Sequence, residues 1–350
     1  MNNRYNLINQ KLKEWKKQGQ DQNILKTIFE HSNLDSMVTI NGKNDVFVDT
    51  GFQGLSLQEL YKLFDKGSFN KMDQYQITNL FQEVHNRYIT SNDLELSRNV
   101  VFDEDNFNNF WGYVTYSDNM LFMNKSILEK VLSKNKKNSK INKENVGLAF
   151  LNIILHESRH LVQYDSFLKF LLDEPMSEEQ KFLGAIAGLN NINFNIANSN
   201  YDYKYTPNWN AMYDYQYLEH DAYYTGLKLT REFADKLYGN DKSYHKLLTS
   251  LSDKLGKTSS IIPTNQLKVD YQVKHVEKFL NEQIKYFKSG ATDCELKSKI
   301  LETVESFMEV DENGNSKLRD KLMREITEMR ECYDASKKIV KSKETISFQN

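Results

Sequence analysis

Cysteine occurs only twice in this 350-residue chain, at Cys294 and Cys332. Two thiols set far apart within helical patterns imply no disulfide framework. Proline is nearly as scarce, at Pro175, Pro207 and Pro263, and glycine occurs 14 times. Long stretches therefore run without a helix breaker, and helix should dominate. An excess of one charge is also missing: 46 Lys and Arg stand against 48 Asp and Glu, a formal −2. A general nucleic-acid partner would call for a basic surplus, so none is expected. No apolar run approaches the roughly 18 residues of a membrane span. The opening "MNNRYNLINQKLKEWKKQGQ" is polar throughout and lacks the apolar segment of a secretory signal. A cytoplasmic location is the expectation, with export by another route left undecided. Gly-rich phosphate loops, a GxSxG elbow and a CxxC pair are likewise missing.

What is present in quantity is aromatic bulk, 20 Tyr and 20 Phe, enough for a sizeable core in a folded protein. Three regions are expected. Residues 1–99 read as mainly helical with a short hairpin, Met37 to Thr39 and Val46 to Val48 flanking a Gly/Asn turn. In this region Ser56 and Glu59 form a capping box, and Ile77, Leu80, Phe81 and Val84 recur at helical spacing. Residues 100–240 begin with two β-prone runs, Trp111 to Tyr116 and Met120 to Met123, around a Ser117-Asp118-Asn119 turn. A short helix, the basic run "KNKKNSKINK" (Lys134 to Lys143, read as a solvated loop) and a long apolar helix follow. Another capping box, Ser177 with Gln180, opens the next helix. Asn190 to Asn210 reads as a long loop, and helix resumes up to Gly239. Residues 241–350 read as a helical bundle, with one stripe of Val273, Val276, Leu280, Ile284 and Phe287 and another of Leu318, Leu322, Ile326, Met329 and Tyr333. Thr292 and Glu295 are the expected cap of the helix between them. The fold class is thus α+β and mainly helical, with a small hairpin or sheet.

The chemistry concentrates in "LNIILHESRHLVQYD", where two of the seven histidines stand four residues apart with a glutamate after the first. On a helix, residues i and i+4 share a face, so His156 and His160 can aim two imidazoles at one point. Zinc accepts neutral imidazole nitrogen and, in catalytic sites, keeps a position open for water. Glu157, rotated about 100° round the helix, can reach that water but does not share the ligand axis. A third ligand should come from "YQYLEHDAYYTG", where Glu219, His220 and Asp221 all compete.

Elsewhere, Asp311, Asn313 and Asn315 begin like a calcium loop, but Ser316 and Leu322 stand where Gly and Glu are required. A turn before a helix capped at Ser316 is the better reading. His31, His85 and His275 lack a ligand partner at useful spacing and read as ordinary structural or surface histidines.

The pair "HESRH" and "EHDA" resembles the gluzincin class of zinc metallopeptidases, in which HExxH on one helix is completed by a Glu on a later one. The closer likeness is to intracellular bacterial and phage-like metallopeptidases that read HExRHxxQ and then ExDA. The matching residues are His156, Glu157, Arg159, His160 and Gln163, then Glu219, Asp221 and Ala222. The likeness covers about residues 100–240 and is specific only for the ligands. It implies a zincin-like centre, one Zn2+ per chain held by His156, His160 and Glu219, and Glu157 as general base for hydrolysis of a protein or peptide substrate. It also implies that the hairpin before the helix offers an edge strand to an extended peptide. Asp221 and Gln163 would stand behind the ligands, Asp221 as acceptor for a ligand histidine's other N–H. Thermolysin-like members carry the supporting acid four residues after the third ligand, where Tyr223 stands here. Candidates for stabilising the transition state are Tyr223 and Tyr224, with Tyr213, Arg159 and His245 behind them. The alternative is a catalytically inactive zincin-like binding or regulatory protein.

Overall fold

The computed structural model describes residues 2–19, 55–92, 94, 99–103, 112–115, 120–133, 146–200, 216–239, most of 241–249, 266–289 and 294–346. The hairpin expected between Met37 and Val48, the basic run 134–143, the turn 117–119, and residues His31, Thr292 and Tyr213 lie outside them. Among the described residues are 11 helices and one sheet of three strands, a mainly helical α+β protein.

Four helices come first: α1 (Asn2–Lys17), α2 (Leu57–Phe64), α3 (Lys66–Phe69) and α4 (Gln74–Ser91). The expected capping box opens α2, with Ser56 N–H donating to Glu59 Oε2 at 2.7 Å and Glu59 N–H to Ser56 Oγ at 3.2 Å. Strands β1 (Asn99–Asp103), β2 (Gly112–Thr115) and β3 (Met120–Asn124) follow, and then α5 (Lys125–Ser133). β2 and β3 pair antiparallel as the expected hairpin, with Val114 opposite Leu121. β1, which the sequence reading missed, lies parallel to β3 on its other side. It alternates buried Val100 and Phe102 with less buried neighbours, the period of two of a half-covered strand. Its outer edge is closed by α4, whose Gln82 Oε1 accepts from the Val100 N–H at 2.7 Å.

The long helix α6 (Val146–Leu171) carries the histidine motif, and only Ile153, Arg159, His160 and Lys169 along it are less than fully buried. It ends where Asp173 takes the left-handed conformation, φ 56°, and Glu174 N–H reaches back to Lys169 O at 3.0 Å. Asp173 also accepts from Lys11 of α1 at 2.9 Å and from Lys299, which ties the helix end to α1 and to the C-terminal region.

Helix α7 (Glu178–Asn200) opens on the Ser177–Gln180 capping box and runs further than expected. Residues 190–200 are helical backbone rather than the start of a long loop. No proline or glycine interrupts them, and asparagine lowers helix propensity by only tenths of a kcal/mol per residue, to about 0.7 at most. Residues 201–215 lie outside the described part. Helix α8 (Tyr217–Tyr238) ends at Gly239 with φ 51°. Helices α9 (Gln266–Ser289), α10 (Glu295–Met308) and α11 (Lys317–Ile346) complete the chain. Both apolar stripes of the C-terminal region are buried as expected. The cap of α10 differs from expectation: its N-cap is Cys294, with no side-chain bond to the helix. Ser316 does cap α11, accepting from the Arg319 N–H at 3.1 Å.

Two apolar cores result, and α6 runs through both. Its first half, Val146 to Leu155, packs with α2 to α4 and the sheet. Its last turns, Tyr164 to Leu171, pack with α1, α7 and α9 to α11. Each fully buried Leu, Ile or Phe contributes about 1.5–3 kcal/mol, so both halves are strongly anchored. The polar motif occupies the turns where the helix passes from one core to the other. Among the described residues no helix is long and apolar enough to cross a membrane.

Candidate metal centre

Helix α8 lies against α6 at a closely packed seam. A Cβ on Gly226 would stand 3.0 Å from the Asn152 carbonyl oxygen and 3.4 Å from His156 Cβ. Ala222, fully buried, continues the same face. The seam brings Glu219, in the first turn of α8, over the two histidines of α6.

His156 Nε2 lies 3.3 Å from His160 Nε2. Glu219 closes the triangle, Oε2 at 3.4 Å from His156 Nε2 and Oε1 at 3.6 Å from His160 Nε2. Tetrahedral zinc with ligands at about 2.0–2.1 Å has ligand–ligand edges of about 3.3–3.4 Å. The imidazole pair stands at that separation, and the carboxylate comes within 3.4 and 3.6 Å through its two oxygens. Two imidazoles and one carboxylate, largely buried, form a group that can hold a metal ion. Among the described residues no other cluster of at least three His, Cys, Asp or Glu does so.

Hydrogen bonding fixes the tautomer of His160. Gln163 Nε2 lies 2.8 Å from Leu218 O and 2.8 Å from Asp221 Oδ2, both acceptors. The amide NH2 therefore faces them, and Oε1 faces His160 Nδ1 at 2.8 Å. Nδ1 must carry the proton, which leaves the Nε2 lone pair directed at the centre. His156 is held differently. Its ring packs on Tyr223, centroids 4.4 Å apart, and its Nδ1 has no hydrogen-bond partner among the described residues.

The other two competitors for the third position face elsewhere. Successive residues of a helix point about 100° apart, and the turn uses all three directions. His220 is fully buried against α11, Nε2 3.3 Å from Glu325 Oε2. Asp221 receives Arg159 in a two-pronged pair, Nε to Oδ2 at 2.7 Å and Nη2 to Oδ1 at 3.0 Å. Burial works to raise the Asp221 pKa, but Arg159 and Gln163 outweigh it and hold the carboxyl below its usual range. The expected bond from a ligand histidine to Asp221 is not direct: Gln163 stands between, because Asp221 points at the base of α6's motif turn and not at an imidazole. We expect Glu219→Ala to lower zinc affinity at least tenfold by chelator competition, with His220→Gln within about threefold of wild type.

Glu157 is buried beside the centre and accepts from the Val114 backbone N–H of β2. Burial pushes its pKa up to about 7; Glu219 adds to the rise, while His160 and the Val114 N–H oppose it. No local pattern along the chain announces this strand contact. β2 is an edge of the sheet, so the motif glutamate sits at the strand's outer side.

Of the proposed transition-state stabilisers among the described residues, only Tyr223 stands at the centre. Tyr224 is turned away, its hydroxyl donating to Glu328 of α11. Arg159 is committed to Asp221 and also bonds the Tyr88 side chain of α4. His245 Nε2 lies 2.9 Å from Gly239 O and closes the end of α8. His85, read as structural, bonds Ser158 Oγ at 2.7 Å in the core. Ser158 donates its hydroxyl to Ile154 O at 2.6 Å, so His85 Nδ1 is the donor.

Compared with protein-family models, curated proteins and solved structures, the chain matches none.

Proposed function

We propose that the chain is a zinc-dependent peptidase of gluzincin type with a zincin-like centre. The observation that carries this reading is the triangle of His156, His160 and Glu219, with edges of 3.3, 3.4 and 3.6 Å. The donor set, two imidazole nitrogens and a carboxylate oxygen, suits zinc better than a hard cation that needs six or more oxygens. Zinc, when bound, polarises a scissile carbonyl and lowers the pKa of water toward about 7.

The chain's own residues supply the rest. Glu157 takes the proton of the attacking water and returns it to the leaving amine. Its bond from the Val114 N–H keeps the carboxylate at the edge of β2. An extended peptide can add along that edge through main-chain hydrogen bonds. Tyr223, held on the His156 ring, is the candidate to donate to the developing oxyanion.

Elemental mass spectrometry of untagged protein purified without chelator tests the metal, and turnover of an unstructured peptide mixture tests the chemistry. We expect about one zinc per chain, lost in His160→Ala, with peptide cleavage that stops on chelation. Zinc without cleavage would favour the inactive binding protein. No zinc after supplementation under reducing conditions would overturn the site.

A further inference from the structure

We propose that Arg159 and Asp221 form a latch between α6 and α8 that sets the third metal ligand, with Gln163 extending the same constraint to His160. This rests on the metal-site reading above, and it concerns positioning residues that touch no substrate.

The ligand turn needs such an anchor. Glu219 sits in the first turn of α8, and the N-cap there, Gln216, makes no side-chain bond to the helix. The start of a helix without a cap is free to fray or rotate, and a rotation of one residue would replace Glu219 by His220 or Leu218. Two groups flanking the ligand prevent this. On one side the Leu218 carbonyl accepts from Gln163 Nε2 at 2.8 Å. On the other the Asp221 carboxylate accepts from Gln163 at 2.8 Å and from Arg159 at 2.7 and 3.0 Å. Both Gln163 and Arg159 belong to the helix that carries the two histidines. All three ligands are therefore referenced to one rigid element.

The residue types are those the geometry demands. Only a guanidinium offers two parallel donors to one carboxylate; lysine would hold Asp221 as a point charge and leave α8 free to swivel. Gln163 must present two donors to Leu218 O and Asp221 and one acceptor to His160 Nδ1. Glutamate at that position would set an acceptor against two acceptors. Tyr88, bonded to Arg159 from α4, gives the guanidinium a further partner. A buried ion pair kept only for stability could be replaced by apolar residues of like volume at little cost. The latch reading differs from that one in predicting an effect on the metal.

The test uses the full chain with zinc and Co2+ as probes, in four forms: wild type, Asp221→Asn, Arg159→Met and the double variant. The double variant leaves neither charge buried alone, so it is the one expected to keep its apo melting temperature. We expect zinc affinity, by chelator competition, to fall 10- to 100-fold in all three. The visible Co2+ spectrum should change in the same variants, reporting an altered ligand set, and Arg159→Lys should not restore it. Wild-type affinity and an unchanged Co2+ spectrum in the folded double variant would overturn the latch alone. A wild-type chain that takes up neither metal would overturn the metal centre and the latch with it.

Discussion

Glu157→Gln should lower peptide turnover by about 10²- to 10⁴-fold, the usual span for loss of a general acid–base. Zinc content should stay at the wild-type level. The reasoning starts from position. Glu157 follows His156 and is turned about 100° from it, so its carboxylate lies beside the ligand triangle without being a member of it. Glutamine has the same shape and still offers an oxygen to the Val114 N–H, so β2 keeps its place against α6. What it cannot do is take a proton. Loss of turnover with metal retained would therefore isolate the proton-transfer role. If zinc were lost as well, Glu157 would be holding the site together, and the role assigned to it would fail. If turnover survived with zinc in place, another group would have to be the base. Peptide affinity, measured on the metal-loaded variant, should change less than threefold, because glutamine keeps the bond from the Val114 N–H and leaves the rest of the β2 edge as it was.

The site was more legible than the fold around it, for reasons that lie in distance along the chain. His156 and His160 are one helical turn apart, so their meeting depends on local geometry alone. Glu219 depends on how α8 is rotated against α6, which the local pattern leaves open among three neighbours. The rotation is decided by Gly226 and Ala222, small residues that set the closest approach, and by Arg159, whose partner the sequence does not name. Spacing alone separates Tyr224 from the centre. It is five residues beyond Glu219, about 140° round the helix, whereas Tyr223 at four residues is only about 40° away. β1 is five residues long and pairs in parallel with β3, the second strand of the hairpin, so no tight turn joins the two and none announces β1. The docking of α1 is equally silent. Ile8 and Trp15 bury against the C-terminal core, far from their neighbours in sequence.

Two glycines packed against α6 at different heights should separate stability from metal binding. Gly184 of α7 is the tighter contact: a Cβ there would stand 2.4 Å from the Ser166 carbonyl oxygen and 2.9 Å from Phe170 Cβ. The obstacle is helix backbone, which cannot swing aside like the end of a side chain. Gly184→Ala must therefore push α7 away from α6 through the core they share with Phe182 and Phe167. We expect a loss of about 3 kcal/mol or more, beyond the 1–3 kcal/mol typical of an added methylene in a packed core. The displaced contact, at Ser166 and Phe170, lies six to ten residues beyond His160 along α6, roughly 9–15 Å of helix rise, so the folded fraction should bind zinc with wild-type affinity. Gly226→Ala meets the Asn152 carbonyl at 3.0 Å and His156 Cβ at 3.4 Å, a milder conflict. It should cost about 1 kcal/mol in the apo protein. The small retreat of α8 would widen the gap between Glu219 and the histidines, and zinc affinity should fall about tenfold by the same logic that gives outer contacts their weight. Thermal unfolding with chelator and with excess zinc reads both effects, since ligand stabilisation follows the ratio of free zinc to its Kd. The wild type and Gly184→Ala should gain equally from zinc, and Gly226→Ala less. A smaller zinc gain in Gly184→Ala than in Gly226→Ala would mean that α7, not α8, governs the geometry of the centre.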